Sequence, residues 1–100
     1  MGMNMKAIQQ MQMRMEKIQK ELGETQVEGT AGGGVVKVTL NGHKDFVGIT
    51  IDPAAVDPDD VELLEEMVGA AIGDAMAKAG ALSEERMAAL TGGLKIPGLS

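Results

Sequence analysis

A row of cationic and amide side chains near the N-terminus has the chemistry needed to bind phosphate. Its members are spaced three or four residues apart, and we call them the basic stripe: Lys6, Gln10, Arg14, Lys17 and Lys20. That spacing places side chains along one side of a helix, and lysine, arginine and amide groups all donate hydrogen bonds to phosphate oxygens. The stripe therefore indicates contact with a phosphate backbone. An ordinary solvated helix face is the alternative that its composition leaves open.

A glycine-rich stretch, GTAGGGVVKVTLNG at residues 29–42, is the second candidate for a phosphate site. A nucleotide-binding loop needs a lysine directly after its last glycine, whereas Val35 follows Gly34 here. Such a loop also leads into a helix whose N-terminus faces the anion, but these glycines lead into a strand pattern. We therefore predict a glycine turn or bulge between two strands and no nucleotide site.

The sequence predicts no metal, cofactor or catalytic site. It contains one histidine, His43, and no cysteine, so it lacks a Cys/His ligand set. The acids at residues 57–60 lack the alternating ligands and central glycine of an EF-hand loop, and helix capping explains them. No nucleophile–base pattern accompanies these acids, and the chain is therefore not predicted to be an enzyme.

Charge is distributed unevenly along the 100 residues. Residues 1–22 carry four cations and two acids, a balance of +2. Because the net charge of the whole chain is −6, the remaining residues together carry −8. The N-terminal segment is thus the part that attracts a polyanion, although the overall acidity weakens that attraction. One Phe and no Trp or Tyr argue against a base-stacking platform. The remaining candidate partner is the backbone of duplex DNA, with little sequence reading.

Composition also bears on where the protein is expected to be found. The absence of cysteine fits a reducing cytoplasm, and no apolar run approaches the roughly 18 residues that span a membrane. The first residues, MGMNMKAIQQ, lack an apolar signal core. We expect a soluble cytoplasmic protein of one domain, with no membrane partner.

The basic stripe requires a helix, which we predict over residues 3–22 because they contain no Gly or Pro. An apolar seam with heptad spacing runs along it: Ile8, Met11, Met15, Ile18 and Leu22. So narrow a seam on a helix about 30 Å long predicts that segment 1–22 either projects from its domain or packs against the same helix of a second copy. Gly23 is expected to end the helix.

A sheet is predicted within residues 25–52. Its three strands are expected at Thr25–Glu28, Val35–Leu40 and Phe46–Ile51. Asn41 and Gly42 are a hairpin signal between the last two strands.

Two helices are predicted to follow the sheet. The first is a core helix over residues 58–80, with Asp57 as its cap, Pro58 at its first position and Gly80 at its end. A short helix over residues 84–90, capped by Ser83, and a loose tail at residues 91–100 complete the chain. The order α-β-β-β-α-α describes an α+β domain with a three-stranded antiparallel sheet.

Three segments follow the Met/Gln/Lys-rich helix in a specific order: VEGTAGGGVVKVTLNG, ITIDPAAVDPDDVELLEEMVGAAIGDAMAKA and TGGLKIPGL. Together they resemble the YbaB/EbfC family of bacterial nucleoid-associated proteins. The resemblance covers nearly the whole chain. It implies a tweezer-like α+β homodimer whose helices project from a dimerised core, located in the nucleoid. It also implies DNA binding without enzymatic activity, ranging from non-specific to loosely sequence-preferring.

Carried over by position, the resemblance assigns DNA contact to the basic stripe, with Arg86 in the last helix as a further contact. The implied partners are duplex DNA and a second copy of the chain. A protein-interaction module is the alternative hypothesis. In that case Met13, placed among polar residues, would help the Met-rich helix to hold replication or recombination proteins.

Overall fold

The computed structural model describes residues 4–90, so the predicted tail at residues 91–100 lies outside the described residues. Its first element, α1, is a helix at Met5–Glu24. The Asn4 side chain caps its start by accepting a hydrogen bond from the Lys6 N–H at 2.9 Å. At its end, the Thr25 N–H and hydroxyl both donate to the Glu21 carbonyl, at 2.9 and 2.7 Å. Gly23 therefore lies inside α1, and the predicted end at Gly23 is early by two residues.

Three antiparallel strands follow in the order β1-β2-β3: β1 at Gln26–Ala31, β2 at Val36–Asn41 and β3 at Phe46–Ile51. The glycines at residues 32–34 join β1 to β2, and all three have positive φ, at 64°, 76° and 97°. This backbone conformation suits glycine, so the predicted glycine turn between strands is confirmed. The connection takes four residues, 32–35. β1 therefore extends past its predicted end at Glu28, and β2 begins one residue after its predicted start at Val35.

One long helix, α2 at Val61–Leu90, replaces the two helices predicted after the sheet. Neither the predicted end at Gly80 nor the predicted cap at Ser83 exists, since both residues lie inside α2. Glycine costs a helix interior about 1 kcal/mol, and packing on both sides of Gly80 offsets this. Ala79 is fully buried before it, and the last turns of α2 contact α1 after it.

The start of α2 also differs from the prediction. Asp57 accepts a hydrogen bond from the Asp59 N–H at 2.9 Å, within a turn that precedes the helix. Asp60 occupies the capping position instead, and its carboxylate accepts from the Leu63 N–H at 3.3 Å. Pro58 consequently lies in the turn and is not the first helical residue.

The core lies between α2 and the sheet. Val36 and Val38 of β2 are fully buried against Ala71 and Ala75 of α2. The approach is close because Gly29 of β1 has no side chain, and a Cβ there would overlap the backbone of both alanines. Small residues on both surfaces therefore set the spacing of the two layers.

The two edge strands of the sheet, β1 and β3, differ in how they contact α2. At β1, the Thr30 N–H donates to Asp74 at 3.0 Å, and the Lys78 ammonium donates to the Glu28 carbonyl at 2.8 Å. Side chains of α2 thus form hydrogen bonds with backbone groups of β1 that would otherwise be free to pair with another strand. At β3 the register places Ile49 beside Val38 on the core face, yet Ile49 is 43% exposed because α2 packs on β1 and β2.

Candidate nucleic-acid interface

The turn between β2 and β3 fixes the direction of α1. Its Gly42 N–H donates to the Leu22 carbonyl at 2.8 Å, and the Asn41 side-chain amide donates to the Gly23 carbonyl at 3.3 Å. His43 Nε2 lies 2.8 Å from the Gln19 carbonyl, and it must carry a proton there because a carbonyl only accepts. The Leu22 and Gly23 carbonyls are among the last four of α1, which the end of a helix leaves free, so the turn holds the base of α1.

Gly42 belongs to the predicted hairpin signal, but its role in the structure is different. It is buried, and a Cβ added to it would lie 2.7 Å from the Leu22 carbonyl oxygen. The positive φ in this loop, 68°, belongs to Lys44. Glycine is therefore needed at residue 42 for close approach of α1 and not for the turn conformation.

An open cleft of about 350 Å³ lies between α1 and the last turns of α2. We call it the basic cleft. Three of its residues are cations and one is an acid, and the others are apolar: Arg14, Lys17, Arg86, Glu21, Ile18, Ala89 and Leu90. The three cations come from two helices that are far apart in the sequence. All three were predicted as DNA contacts, and α2 brings Arg86 to α1 because it does not stop at Gly80.

Glu21 is the acid of the basic cleft. Its Oε2 lies 3.9 Å from Nη1 of Arg86, with the two side chains 41% and 43% exposed. That separation is too long for a hydrogen bond, and ion pairs exposed to this degree contribute about 0 to 1 kcal/mol. Arg86 is therefore attracted to Glu21 without being locked to it.

The other members of the basic stripe lie on the open surface of α1, outside the cleft. Lys6, Gln10 and Lys20 are all exposed. At 3.6 residues per turn the whole stripe occupies about one third of the helix circumference. The structure thus provides one clustered group of cations, with the remaining polar residues of the stripe placed along the same helix.

Burial of the apolar seam of α1 is greatest at the end nearest the sheet. Leu22 is 2% exposed, Met15 is 40% exposed, and the other members are half-buried: Ile8, Met11 and Ile18. Met13, on the outer side, is 68% exposed. The half of α1 farthest from the sheet therefore presents methionines to solvent.

Two contacts in this region were not predicted from the sequence. One is the pairing of Glu21 with Arg86, which was hidden because a helix break was predicted at Gly80. The other is the contact between His43 and Gln19, since His43 was considered only as a metal ligand. The tripeptide Asn41-Gly42-His43 is the only sequence signal for the contacts between this turn and α1, but a hairpin turn by itself is enough to explain these residues.

Within residues 4–90, no group of three or more His, Asp or Glu side chains is placed to hold a metal ion. Neither α1 nor α2 is long and apolar enough to cross a membrane.

Comparison with known proteins gives a consistent family. Residues 1–94 match the model of the YbaB/EbfC DNA-binding family. A nucleoid-associated protein of Chloroflexus aurantiacus is 57% identical over 91 residues, which are 91% of each chain. Another, from Pelotomaculum thermopropionicum, is 50% identical over 99 residues, covering 99% of this chain and 94% of its own.

A solved structure matches the fold. The crystal structure of an uncharacterized protein from Helicobacter pylori superimposes with a TM-score of 0.70 at 21% identity. The match covers 94% of this chain and 100% of that one. The architecture of a helix, a three-stranded sheet and a second helix is therefore shared at low sequence identity.

Proposed function

Because the chain belongs to the YbaB/EbfC DNA-binding family, we propose that it is a non-enzymatic nucleoid protein that binds the backbone of duplex DNA. The contacts are the basic cleft and the rest of the basic stripe. The observation that supports this assignment best is the convergence of Arg14, Lys17 and Arg86 on one cleft. Lysine and arginine contacts to phosphate position a protein on DNA without reading its sequence.

The geometry of α2 separates the basic cleft from the most acidic segment of the chain. The acids of the Asp52–Glu66 segment lie before α2 or in its first two turns, and Arg86 lies near its end. Glu62 and Arg86 are 24 residues apart, which corresponds to about 36 Å along a helix. That distance is several times the Debye length of about 8 Å at physiological salt. The cleft therefore acts on DNA largely independently of the acidic end.

A second copy of the chain is the proposed protein partner. Ile49 of β3 is 43% exposed. Ile72 and Met76, which lie about 160° around α2 from the Asp74 contact to β1, are 39% and 44% exposed. The β3 strand itself contains no charged residue. Since α2 side chains occupy the β1 edge, the β3 side is the open one, and burying its apolar surface against another protomer is favourable. A dimer would present two basic clefts to one duplex.

The test of the DNA assignment is a gel-shift titration of duplex DNA at two salt concentrations. Lys17→Glu/Lys20→Glu reverses two charges of the stripe, and we expect at least about tenfold weaker binding at low salt. Lys37→Glu/Lys44→Glu is the matched control, because both lysines are exposed and lie outside the stripe and the cleft. Equal affinities for the two double variants would exclude α1 as the DNA contact.

The exposure of Met13 favours a second candidate, a module that holds replication or recombination proteins through α1. An adaptable methionine surface suits such binding, and Met13 is 68% exposed. Its signature would be salt-insensitive binding to a protein, abolished by Met13→Glu, with no DNA shift at physiological salt. DNA binding that survives in Met13→Glu and weakens in Lys17→Glu/Lys20→Glu would reject it.

A further inference from the structure

Glu21 places a negative charge inside the surface that is proposed to meet DNA. We infer that Glu21 limits DNA affinity by withholding Arg86 from phosphate, an inference that rests on the proposed function. Its role is that of an affinity-determining residue and not of a DNA contact. Removing its charge should therefore tighten binding.

The position of Glu21 supports this role in two ways. Its carboxylate lies 3.9 Å from the Arg86 guanidinium, so it competes with a phosphate for that cation. It also lines the same cleft as Arg14 and Lys17, so an incoming phosphate meets a like charge there. Both effects oppose binding.

The exposure of the pair explains why the effect is a limit and not a block. With the two side chains 41% and 43% exposed, solvent screens the attraction, and a phosphate can displace the carboxylate. Arg86 then exchanges one anionic partner for another. The net number of charges neutralised on binding is smaller than the number of cations in the cleft.

The chain offers a matched control for Glu21 in Glu16. The two glutamates belong to the same helix, and Glu16 is exposed. At 100° per residue it lies about 140° around α1 from Glu21, and it does not line the basic cleft. Glu16→Gln and Glu21→Gln change the net charge equally, so a difference between them reports position.

The experiment measures duplex DNA affinity against salt concentration for the full chain and four variants: Glu21→Gln, Glu16→Gln, Arg86→Gln and the Glu21→Gln/Arg86→Gln double variant. Glu21→Gln is expected to bind about two- to fivefold tighter than the unmodified protein at low salt. Its salt slope should steepen by about 0.9 per protomer, because Arg86 becomes free to neutralise another phosphate. Glu16→Gln should change affinity by less than about twofold at physiological salt, where exposed charges more than about 8 Å apart are largely screened.

A double-mutant cycle tests whether Arg86 mediates the effect. In an Arg86→Gln background, Glu21→Gln should retain less than half of its gain in affinity on a logarithmic scale. Thermal unfolding of each variant measures any structural effect of breaking the pair. Since Gln is a helix former like Glu, we expect the melting temperature of Glu21→Gln to stay within about 3 °C of the unmodified protein.

The possible failures are distinguishable. If the unmodified protein shows no salt-dependent binding to duplex DNA, the proposed function itself fails. If it binds and Glu21→Gln matches it in affinity and slope, the function stands and the role of Glu21 is wrong. An equal gain in Glu16→Gln, or an undiminished gain without Arg86, would also overturn the inference.

Discussion

The amide N–H of Gly42 donates a hydrogen bond to the carbonyl of Leu22 over 2.8 Å, joining the β2–β3 turn to the base of α1. Leu22 is also the one residue of α1 whose side chain is buried. The direction of α1, which carries the basic stripe, is therefore set by the β2–β3 hairpin. This contact therefore affects both the stability of the fold and the position of the basic stripe on α1.

Gly42→Ala tests that junction. The added Cβ would lie 2.7 Å from the Leu22 carbonyl oxygen and 2.9 Å from its Cδ2, and overpacking of this kind costs about 1–3 kcal/mol. We expect the free energy of unfolding, measured in urea, to fall by that amount. Gly69→Ala is the control, because nothing lies within 4 Å of its Cβ position and it sits in a helix. Gly69→Ala should be neutral or stabilising. An unchanged or higher free energy of unfolding for Gly42→Ala would contradict the contact.

Gly80→Ala tests the continuity of α2. The nearest atom to its Cβ position is Cε of Lys44 at 3.8 Å, an ordinary contact. Because alanine is favoured over glycine inside a helix, we expect the free energy of unfolding to rise by up to about 1 kcal/mol. A helix that ended at Gly80 with positive φ would instead be destabilised by alanine. Urea denaturation distinguishes the two signs.

Asp74 predicts a pH dependence of stability. The hydrogen bond from the Thr30 N–H, and then that from Lys78, lowers the pKa of this carboxyl below its ordinary value. A lowered pKa adds stability that is complete above the ordinary aspartate pKa of about 3.9 and is lost as pH falls through the lowered value. Asp74→Asn should therefore be less stable at neutral pH and lose less stability below pH of about 4.

Urea midpoints between neutral and acidic pH measure this effect. Asp59→Asn is a suitable control, because Asp59 is exposed and its carboxylate accepts no hydrogen bond within the described residues. Parallel pH profiles for Asp74→Asn and the unmodified protein would contradict the role of Asp74 at the β1 edge.

Ile72→Glu tests the proposed dimer surface. Ile72 is 39% exposed, and a buried, unpaired charge there would oppose association. We expect light scattering at micromolar concentration to give the dimer mass for the unmodified protein and the monomer mass for this variant. Ala70→Glu is the control, since Ala70 is exposed about 160° away around α2. A dimer that survives Ile72→Glu would place the interface elsewhere.

The sequence by itself determined the local elements, because their causes are local. Heptad spacing and the absence of Gly and Pro predicted α1, and the three consecutive glycines predicted the turn before β2. The segment that follows, with Val36, Val38 and Leu40 on one face, predicted the buried strand. The basic stripe was visible for the same reason, since its members lie within five turns of one helix.

Tertiary structure decided the rest, where distant packing overrode or completed a local signal. Gly80 is a helix-ending signal in isolation, but packing of α2 on the sheet and on α1 keeps it helical. That continuity brings Arg86 into one cleft with Arg14 and Lys17 and places Glu21 among them. The open β3 side likewise depends on where α2 crosses the sheet, a relationship between residues far apart in the chain. Periodicity reports which residues share one element, whereas contacts between elements depend on packing that only the folded chain defines.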